Sequence, residues 1–255
     1  MTAEDLYLDL MRKCLLNTIY EDKDLYDQPF SSTNRENGTD WPSQAHTMIG
    51  NLRMKNILAL AKNVIERQVP GDFIETGVWR GGACIFMRAI LKAWDIKDRT
   101  VWVADSFEGL PEPTREEDAG DIHHTFTELA VSLDEVAENF AKYGLLDEQV
   151  RFLKGWFRNT LPDAPIEKLA LLRLDGDMYE STIDALNALY HKLSINGFVI
   201  VDDYEAVPAC KQAVTDFRNQ HNILDEIINI DGIGVFWKKS PPLAGQATGG
   251  SHVST

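Results

Sequence analysis

Short apolar runs alternate with longer amphipathic segments along the chain, from about residue 70 onward. The apolar runs predict strands at 72–76, 100–105, 150–153, 169–175, 197–203 and 234–237. Apolar positions at helical spacing predict helices at 3–19, 46–67, 82–94, 133–143, 179–193 and 207–220. Strands that alternate with helices form a parallel or mostly parallel sheet with helices on both faces. We therefore expect an α/β fold.

Two segments lack this alternation. Residues 21–45 are polar and rich in turn-forming residues, which predicts a long loop that closes over a substrate. Residues 240–255 are rich in Gly, Ser, Pro and Thr, which predicts a disordered tail. The expected organisation is one domain in which helices and a lid loop at 1–70 precede an α/β core at 71–239, with the tail after it.

Composition and charge exclude several classes of protein. With 255 residues the chain can bury a full core without disulfides or metals as supports. The net charge of −15 disfavours binding to nucleic acids and to anionic membranes. Three widely spaced cysteines fit neither a disulfide framework nor a zinc knuckle. The acidic start of the sequence is unlike a secretion signal and the apolar runs are too short to span a bilayer, so we expect a cytoplasmic protein.

The first predicted strand ends in a glycine-rich turn with the pattern E-x-G-x-x-x-G-G, at residues 75–82. Gly77 suits a tight turn, and Gly81 allows a ligand to approach the backbone where the next helix begins. The carboxylate of Glu75 would repel a phosphate, so the turn is expected to bind a cationic or hydroxyl-bearing group. The alternative is that the glycines serve the geometry of the turn alone.

The second predicted strand ends in Asp105, which is followed by Ser106. An acid at this place in a doubly wound sheet can bind the two hydroxyls of a ribose, although a turn cap is an equal alternative. Together with the glycine turn, it indicates a nucleoside that carries cationic groups and no phosphate. S-adenosylmethionine fits that description.

Four aspartates end the fourth and fifth predicted strands: Asp175, Asp177, Asp202 and Asp203. The carboxyl ends of parallel strands meet at one crevice, where four unpaired carboxylates would repel each other strongly. Oxygen ligands without His or Cys favour Mg²⁺ or Ca²⁺ over Zn²⁺. Arg173 or Arg80 is an alternative counter-ion, and a single aspartate of this set would more simply form a turn or cap a helix.

These motifs resemble the class I S-adenosylmethionine-dependent methyltransferases, with the layout of the metal-dependent catechol O-methyltransferases. The chain is most similar to the macrocin O-methyltransferase (TylF-type) family of natural-product sugar O-methyltransferases. The resemblance runs from near residue 6 to about 238, and its most specific segments are AHTMIG (45–50), ETGVWRGGACI (75–85), DRTVWVADSF (98–107), YGLLD (143–147), GWF (155–157), DGD (175–177) and VDDY (201–204).

The resemblance implies a seven-stranded Rossmann-like sheet with an N-terminal helical cover, and homodimers or larger oligomers. It implies methyl transfer from S-adenosylmethionine to a deoxysugar hydroxyl of a glycosylated natural product. It also implies that Mg²⁺ is held by Asp177, Asp202 and Asp203. With the glycine turn and its neighbours, the expected cofactor-binding residues are Met48, Glu75, Thr76, Gly77, Arg80, Gly81, Asp105, Ser106, Trp156 and Asp175.

Asp177 is the expected general base, and His123 or His124 is the alternative, because histidine titrates near neutral pH. The two histidines would have no such role if they were simply an exposed loop pair. They lie within residues 107–131, which match the family less closely and should border the acceptor. A phenol or a free nucleotide sugar is therefore an alternative acceptor.

Two further classes of function are disfavoured. An NAD-dependent sugar oxidoreductase would need a G-x-G-x-x-G turn and a Tyr-x-x-x-Lys pair, and neither is present at the right place. A non-catalytic binding protein would have no use for four clustered aspartates.

Overall fold

The computed structural model describes residues 1–241. Within them, seven strands form one sheet in the order β3-β2-β1-β4-β5-β7-β6. The strands are β1 (Asp72–Thr76), β2 (Val101–Asp105), β3 (Val150–Lys154), β4 (Leu169–Leu174), β5 (Leu193–Val201), β6 (Ile228–Asn229) and β7 (Val235–Lys238). Strands β1 to β5 are parallel, and β7 is antiparallel to β5 and β6. The expected α/β fold with a mostly parallel sheet is confirmed.

Helices cover both faces of the sheet. They are α1 (Ala3–Leu15), α2 (Ser32–Asn37), α3 (Gly50–Glu66), α4 (Gly82–Ala93), α5 (Leu133–Lys142), α6 (Phe157–Thr160), α7 (Tyr179–Leu189) and α8 (Pro208–Gln220). Successive strand residues face opposite ways, so Phe73 packs in the core formed with α1, α3, α4 and α5. Its neighbour Ile74 packs in the core formed with α7 and α8. The N-terminal helices therefore cover one face of the sheet, as expected.

The register of the sheet brings the functional segments to one edge. Thr76 lies opposite both Ala104 and Leu174, and Leu174 lies opposite Val201. The next residues along β2, β4 and β5 are Asp105, Asp175 and Asp202. The acidic strand ends therefore meet at the carboxyl edge, as a doubly wound sheet requires.

Some element boundaries differ from the prediction. Helix α1 ends at Leu15 and α3 begins at Gly50, so the predicted helices 3–19 and 46–67 were too long. Strand β5 begins at Leu193, where the predicted helix 179–193 ends, because its first residue pairs with Leu169 of β4. The short elements α2, α6 and β6 were missed, since four to six helical residues or a two-residue strand leave no periodic signal.

The lid segment, defined as residues 21–45, is more ordered than a plain loop. It contains α2, and buried Arg35 forms ion pairs of 2.9 Å with Asp22 and 2.8 Å with Asp40. Asp22 also accepts hydrogen bonds from the backbone N–H groups of Gln44 and Ala45. These contacts fix both ends of the segment to each other.

Two sequence predictions are not settled by the fold. The proposed tail lies outside the described residues beyond position 241, and the division at residue 70 stays a prediction. No helix between residues 1 and 241 is long and apolar enough to cross a membrane.

Candidate active site

A cavity of about 360 Å³ lies at the carboxyl edge of the sheet, under the lid segment. This is the volume of an ordinary small-molecule site. Its lining includes most of the predicted site residues: Met48, Glu75, Gly77, Asp105, Ser106, His123, Trp156, Asp175, Asp177, Asp202 and Asp203. The cavity thus joins the glycine turn to the aspartate cluster.

Gly77 is required by the packing of the turn. Its φ is +86°, and a Cβ at this position would lie 1.7 Å from the carbonyl oxygen of Asp175. The backbones of β1 and β4 approach closely here because Asp175 N–H donates to the carbonyl of Thr76, at 2.9 Å. A residue with a side chain would push these two strand ends apart.

Four predicted site residues are absent from the cavity lining. Thr76 is buried and its hydroxyl faces the carbonyl of Arg173, and the Arg80 guanidinium donates to two carbonyls of the lid segment. Gly81 faces Val136 of α5 rather than the cavity, and His124 is exposed to solvent. Their roles in binding or catalysis stay predictions that their placement does not favour.

Asp105 holds the glycine turn from the neighbouring strand. One carboxylate oxygen accepts from the backbone N–H of Val78 and the other from that of Phe107, both at 2.7 Å. Burial raises the pKa of Asp105, and these backbone hydrogen bonds oppose the shift. Ser106 donates to the carbonyl of Gly109 at 2.6 Å, which closes the following turn. Asp105 therefore acts as a turn anchor while it also borders the cavity.

Arg173 is fully buried in β4 and lies among the acids. Its guanidinium contacts Glu75 and Asp202 and donates to Asp175 at 2.6 Å. Burial raises the pKa of Glu75 to about 7, and Arg173 opposes this shift. Of the two alternative counter-ions, Arg173 is in place and Arg80 is not.

A second buried cation, Arg53 of α3, was missed in the sequence. Its guanidinium contacts Asp202 and donates to Asp231 at 2.8 Å. The sequence did contain a sign of its burial. Arg53 lies on the buried face of α3, three residues after Gly50 and four before Ile57. A charged residue on the buried stripe of a helix indicates a buried partner.

The aspartate cluster has the chemistry of a site for a hard divalent cation. Among residues 1–241, carboxylate oxygens of Asp175, Asp202 and Asp203 lie within 4.8 Å of one another. Oxygen Oδ2 of Asp203 is buried without a hydrogen-bond partner in this part of the chain. Burial and the charge of Asp177 raise the pKa of Asp203 well above its usual value. An all-oxygen donor set with an unpartnered buried carboxylate fits Mg²⁺ or Ca²⁺.

Asp177, the third expected ligand, stands beside this cluster. It is not one of the three aspartates whose oxygens lie within 4.8 Å of one another, whereas Asp175 is. Burial raises the pKa of Asp177 to about 7, with a contribution from the charge of Asp175 and a smaller opposing one from His123. The half-buried carboxyl of Asp177 is thus affected by the charges of both the aspartates and His123.

His123 also lines the cavity. Asp121 receives the backbone N–H of His123 on one oxygen and pairs with its Nδ1 on the other, both at 2.8 Å. Phe126 packs edge-on against His123 and against Trp41 of the lid segment, with ring centroids 5.6 and 5.7 Å apart. Asp121 belongs to no recognisable sequence motif and was not predicted. Only the fold shows that it orients the imidazole of His123.

Comparison with known proteins places this site in context. The family model of the macrocin O-methyltransferases (TylF) matches residues 24–239. Demethyldecarbamoylnovobiocin O-methyltransferase of Streptomyces niveus is 55% identical over 246 residues, covering 92% of this chain and 94% of the relative. The 8-demethyl-8-(2,3-dimethoxy-alpha-L-rhamnosyl)-tetracenomycin-C 4'-O-methyltransferase of Streptomyces olivaceus is 53% identical, covering 92% and 93%. The solved structure of the O-methyltransferase NovP superposes with a TM-score of 0.91 at 54% identity, covering 93% of this chain and 100% of that one.

Proposed function

The chain belongs to the macrocin O-methyltransferase (TylF) family and is an S-adenosylmethionine-dependent O-methyltransferase, and we propose that it methylates a deoxysugar hydroxyl of a glycosylated natural product. The observation that carries this proposal is the single cavity that joins the glycine turn to Asp177 and His123. The Streptomyces olivaceus relative supports it, because its name specifies 4'-O-methylation of a rhamnosyl compound.

The cofactor side of the cavity is the glycine turn with Asp105 and Trp156. Glu75 and Asp175 supply negative charge close to the turn, which suits the ammonium and sulfonium groups of S-adenosylmethionine. In the reaction the acceptor oxygen attacks the methyl carbon, the carbon–sulfur bond breaks, and the sulfonium becomes a neutral thioether. Alignment of the two reactants in one cavity can supply roughly 7–11 kcal/mol of the barrier reduction.

Mg²⁺ is the proposed second cofactor, with Asp177, Asp202 and Asp203 as its ligands. The compact trio of Asp175, Asp202 and Asp203 offers an alternative set of oxygens. When bound, the cation would lower the pKa of a hydroxyl and hold it in place.

Asp177 is the proposed acceptor of the hydroxyl proton. Asp177 lines the same cavity as the other strand-end aspartates, where a carboxylate can accept the proton of a bound hydroxyl. The Asp121–His123 pair is the alternative, because the carboxylate fixes the imidazole through Nδ1 and leaves Nε2 for the substrate. Both Asp177 and His123 line the cavity.

A phenolic acceptor is the second candidate, and the aromatic residues Trp41, Trp79 and Phe157 in the cavity lining favour it. A free nucleotide sugar is disfavoured, since its diphosphate would meet the acidic lining and a net charge of −15. Action in the cytoplasm and assembly into homo-oligomers stay predictions.

The test is methyl transfer from labelled S-adenosylmethionine to matched acceptors, with Mg²⁺ and with excess EDTA. The panel pairs each deoxysugar glycoside with its free aglycone and with the nucleotide-linked sugar. We expect transfer to the glycoside alone, abolished by EDTA and restored by Mg²⁺. Transfer to the free phenolic aglycone would contradict the sugar acceptor, and full activity in EDTA would contradict the metal.

A further inference from the structure

The side chain of Arg53 connects the lid segment to the aspartate cluster. We propose that Arg53 is a positioning residue through which closure of the lid segment and binding of a divalent cation at the cluster stabilise each other. The inference rests on the metal proposed above and adds a residue that orients one of its ligands.

The guanidinium of Arg53 joins three separate parts of the chain. It is only 4% exposed, and its Nη1 contacts Asp202 at the end of β5. Its Nε donates to Asp231, at 2.8 Å, in the turn between β6 and β7. Its Nη2 lies 3.3 Å from the carbonyl oxygen of Gly38, at the end of α2 in the lid segment. Both Gly38 and nearby Trp41 border the cavity, so this contact bears on the acceptor side.

Three glycines, Gly38, Gly50 and Gly234, allow the close packing around Arg53. A Cβ on Gly50 would lie 2.2 Å from the backbone nitrogen of Gly38, so the end of α2 rests directly on the start of α3. A Cβ on Gly38 would lie 2.8 Å from Nη2 of Arg53, and one on Gly234 would lie 3.1 Å from its Cδ. A side chain at Gly38 or Gly234 would therefore crowd Arg53 and disturb its contacts.

The charges explain why this contact should affect the metal. Asp202 meets Arg173 through Oδ1 and Arg53 through Oδ2, so its carboxylate plane is fixed by two guanidinium groups. Arg173 belongs to β4, whereas Arg53 also depends on the position of the lid segment. A displaced lid segment would therefore loosen Asp202 but leave Arg173 in place. Groups that orient a metal ligand commonly change metal affinity by about 10–100-fold. Coupling between two binding events is reciprocal, so a bound cation should also hold the lid segment closed.

The test compares wild type with Arg53→Lys, which keeps the charge but replaces the broad fork of the guanidinium with a single nitrogen. Mn²⁺ binding is measured by electron paramagnetic resonance, and hydrogen exchange of residues 21–45 is measured with and without Mg²⁺. We expect wild type to bind Mn²⁺ and to show slower exchange when Mg²⁺ is present. We expect Arg53→Lys to bind Mn²⁺ about tenfold more weakly and to lose the protection of the lid segment.

Arg88→Lys is the matched control, because Arg88 is also buried and pairs with Asp147 at 2.6 Å but borders no part of the cavity. It should lower the thermal midpoint without changing Mn²⁺ affinity or lid protection. Equal losses of Mn²⁺ affinity and lid protection in both variants would overturn this inference but not the metal proposal. Wild-type Mn²⁺ affinity and lid protection in Arg53→Lys would do the same. Failure of wild type to bind Mn²⁺ would overturn the metal proposal and this inference with it.

A second variant, Asp231→Asn, covers the case in which Arg53→Lys does not fold. The asparagine can keep the oxygen that accepts from the N–H groups of Ile233 and Gly234, but it replaces the oxygen that Arg53 donates to. We expect weaker Mn²⁺ binding and reduced lid protection in this variant too. Unchanged values would count against Arg53 as the coupling residue.

Discussion

Asp177 combines a half-buried carboxyl with a left-handed backbone, at a φ of +55°. Asparagine tolerates this conformation well, so Asp177→Asn removes the charge without straining the chain. Loss of this carboxylate, the proposed base and metal ligand, should lower kcat by at least about 10²–10⁴-fold. Binding of S-adenosylmethionine should persist, because the glycine turn and Asp105 remain in place. Steady-state kinetics and calorimetric titration of the cofactor measure the two effects separately.

His123→Gln is the companion variant, since glutamine keeps a hydrogen-bonding group near Asp121. We expect it to raise the KM of the acceptor while kcat changes little. A large fall in kcat for His123→Gln, with near-normal kcat for Asp177→Asn, would transfer the role of base to the imidazole.

Gly77→Ala tests the close approach of the ends of β1 and β4 at the glycine turn. The added methyl group would collide with the carbonyl of Asp175, so we expect a loss of at least about 3 kcal/mol in unfolding free energy and loss of cofactor binding. Gly144→Ala is the control, because Gly144 also has a positive φ of +63° but no neighbour within 4 Å of its Cβ position. It should lose only about 1–2 kcal/mol, from backbone strain. Chemical denaturation measures the unfolding free energy of both variants. Equal losses in Gly77→Ala and Gly144→Ala would show that the contact with Asp175 does not require glycine at position 77.

At this scale, the sequence predicts residues that carry a motif and misses residues that act through distant partners. The strand-end acids could be predicted, because strand ends and acidic motifs are local features. Arg53 and Asp121 depend on which segments meet in the fold. The sequence also could not show that Gly81 faces α5, since the direction of a glycine within a turn depends on the local φ and ψ values.

At the scale of elements, periodicity predicted the long helices and the strands of the sheet interior. It failed where tertiary pairing defines an element. Strand β6 exists because two residues pair with β7, and the first residue of β5 is a strand residue because it pairs with β4. The lid segment was predicted as a loop, but the ion pairs of buried Arg35 with Asp22 and Asp40 order it in a way that its polar composition did not predict.

Helix α7 receives its N-terminal cap from a residue far away in the sequence. Buried Asp118 accepts from the backbone N–H of Tyr179 at 2.6 Å and from that of Glu180 at 3.0 Å. Asp118→Ala should lower the unfolding free energy by about 1–2 kcal/mol. Because this contact also fixes residues 107–131 against the site, the KM of the acceptor should rise. Denaturation and acceptor kinetics are the measurements.

The control for this prediction is Ser132→Ala, which removes a cap within α5. The Ser132 hydroxyl accepts from the N–H of Glu135 at 3.2 Å, at an exposed position. A similar or smaller loss of stability with unchanged acceptor KM is expected. If Ser132→Ala raised the KM as much as Asp118→Ala, the effect would reflect stability alone and not the long-range cap.

At the scale of the whole molecule, topology explains why separate acidic motifs form one site. The strand order puts β1 between β2 and β4, and β5 beside β4, so four strand ends share one edge. Acidic residues from those ends leave a concentrated negative charge, which Arg173 and Arg53 offset in part. The sequence predicted this convergence from the alternation of elements, but it could not predict the balance of charge within it.

His46 links three parts of the molecule and should make its stability depend on pH. Its N–H donates to Leu15 at the end of α1, its carbonyl accepts from Gly82 in α4, and its Nδ1 pairs with the hydroxyl of Tyr143 at 2.8 Å. Burial lowers the pKa of His46 to about 4, and the charges of Lys142 and Arg80 add to this. The folded state therefore favours the neutral imidazole, while the unfolded chain takes up a proton at its ordinary pKa of about 6.5.

The direction in which stability changes with pH follows from proton uptake by the unfolded state. Between pH 6.5 and 4 the unfolded chain binds more protons than the folded one, so the contribution of His46 to stability is present above this window and is lost as the pH falls through it.

His46→Gln lacks the titrating group but keeps a partner for Tyr143. The advantage of wild type in thermal midpoint should be constant above pH 7 and should shrink toward pH 4. Because the ring is only partly buried, solvent screening limits the change to about 1 kcal/mol, or about 2–4 °C. Thermal denaturation of both proteins at matched pH measures the difference, and one that stays constant or widens on acidification would show that His46 is not held neutral by the fold.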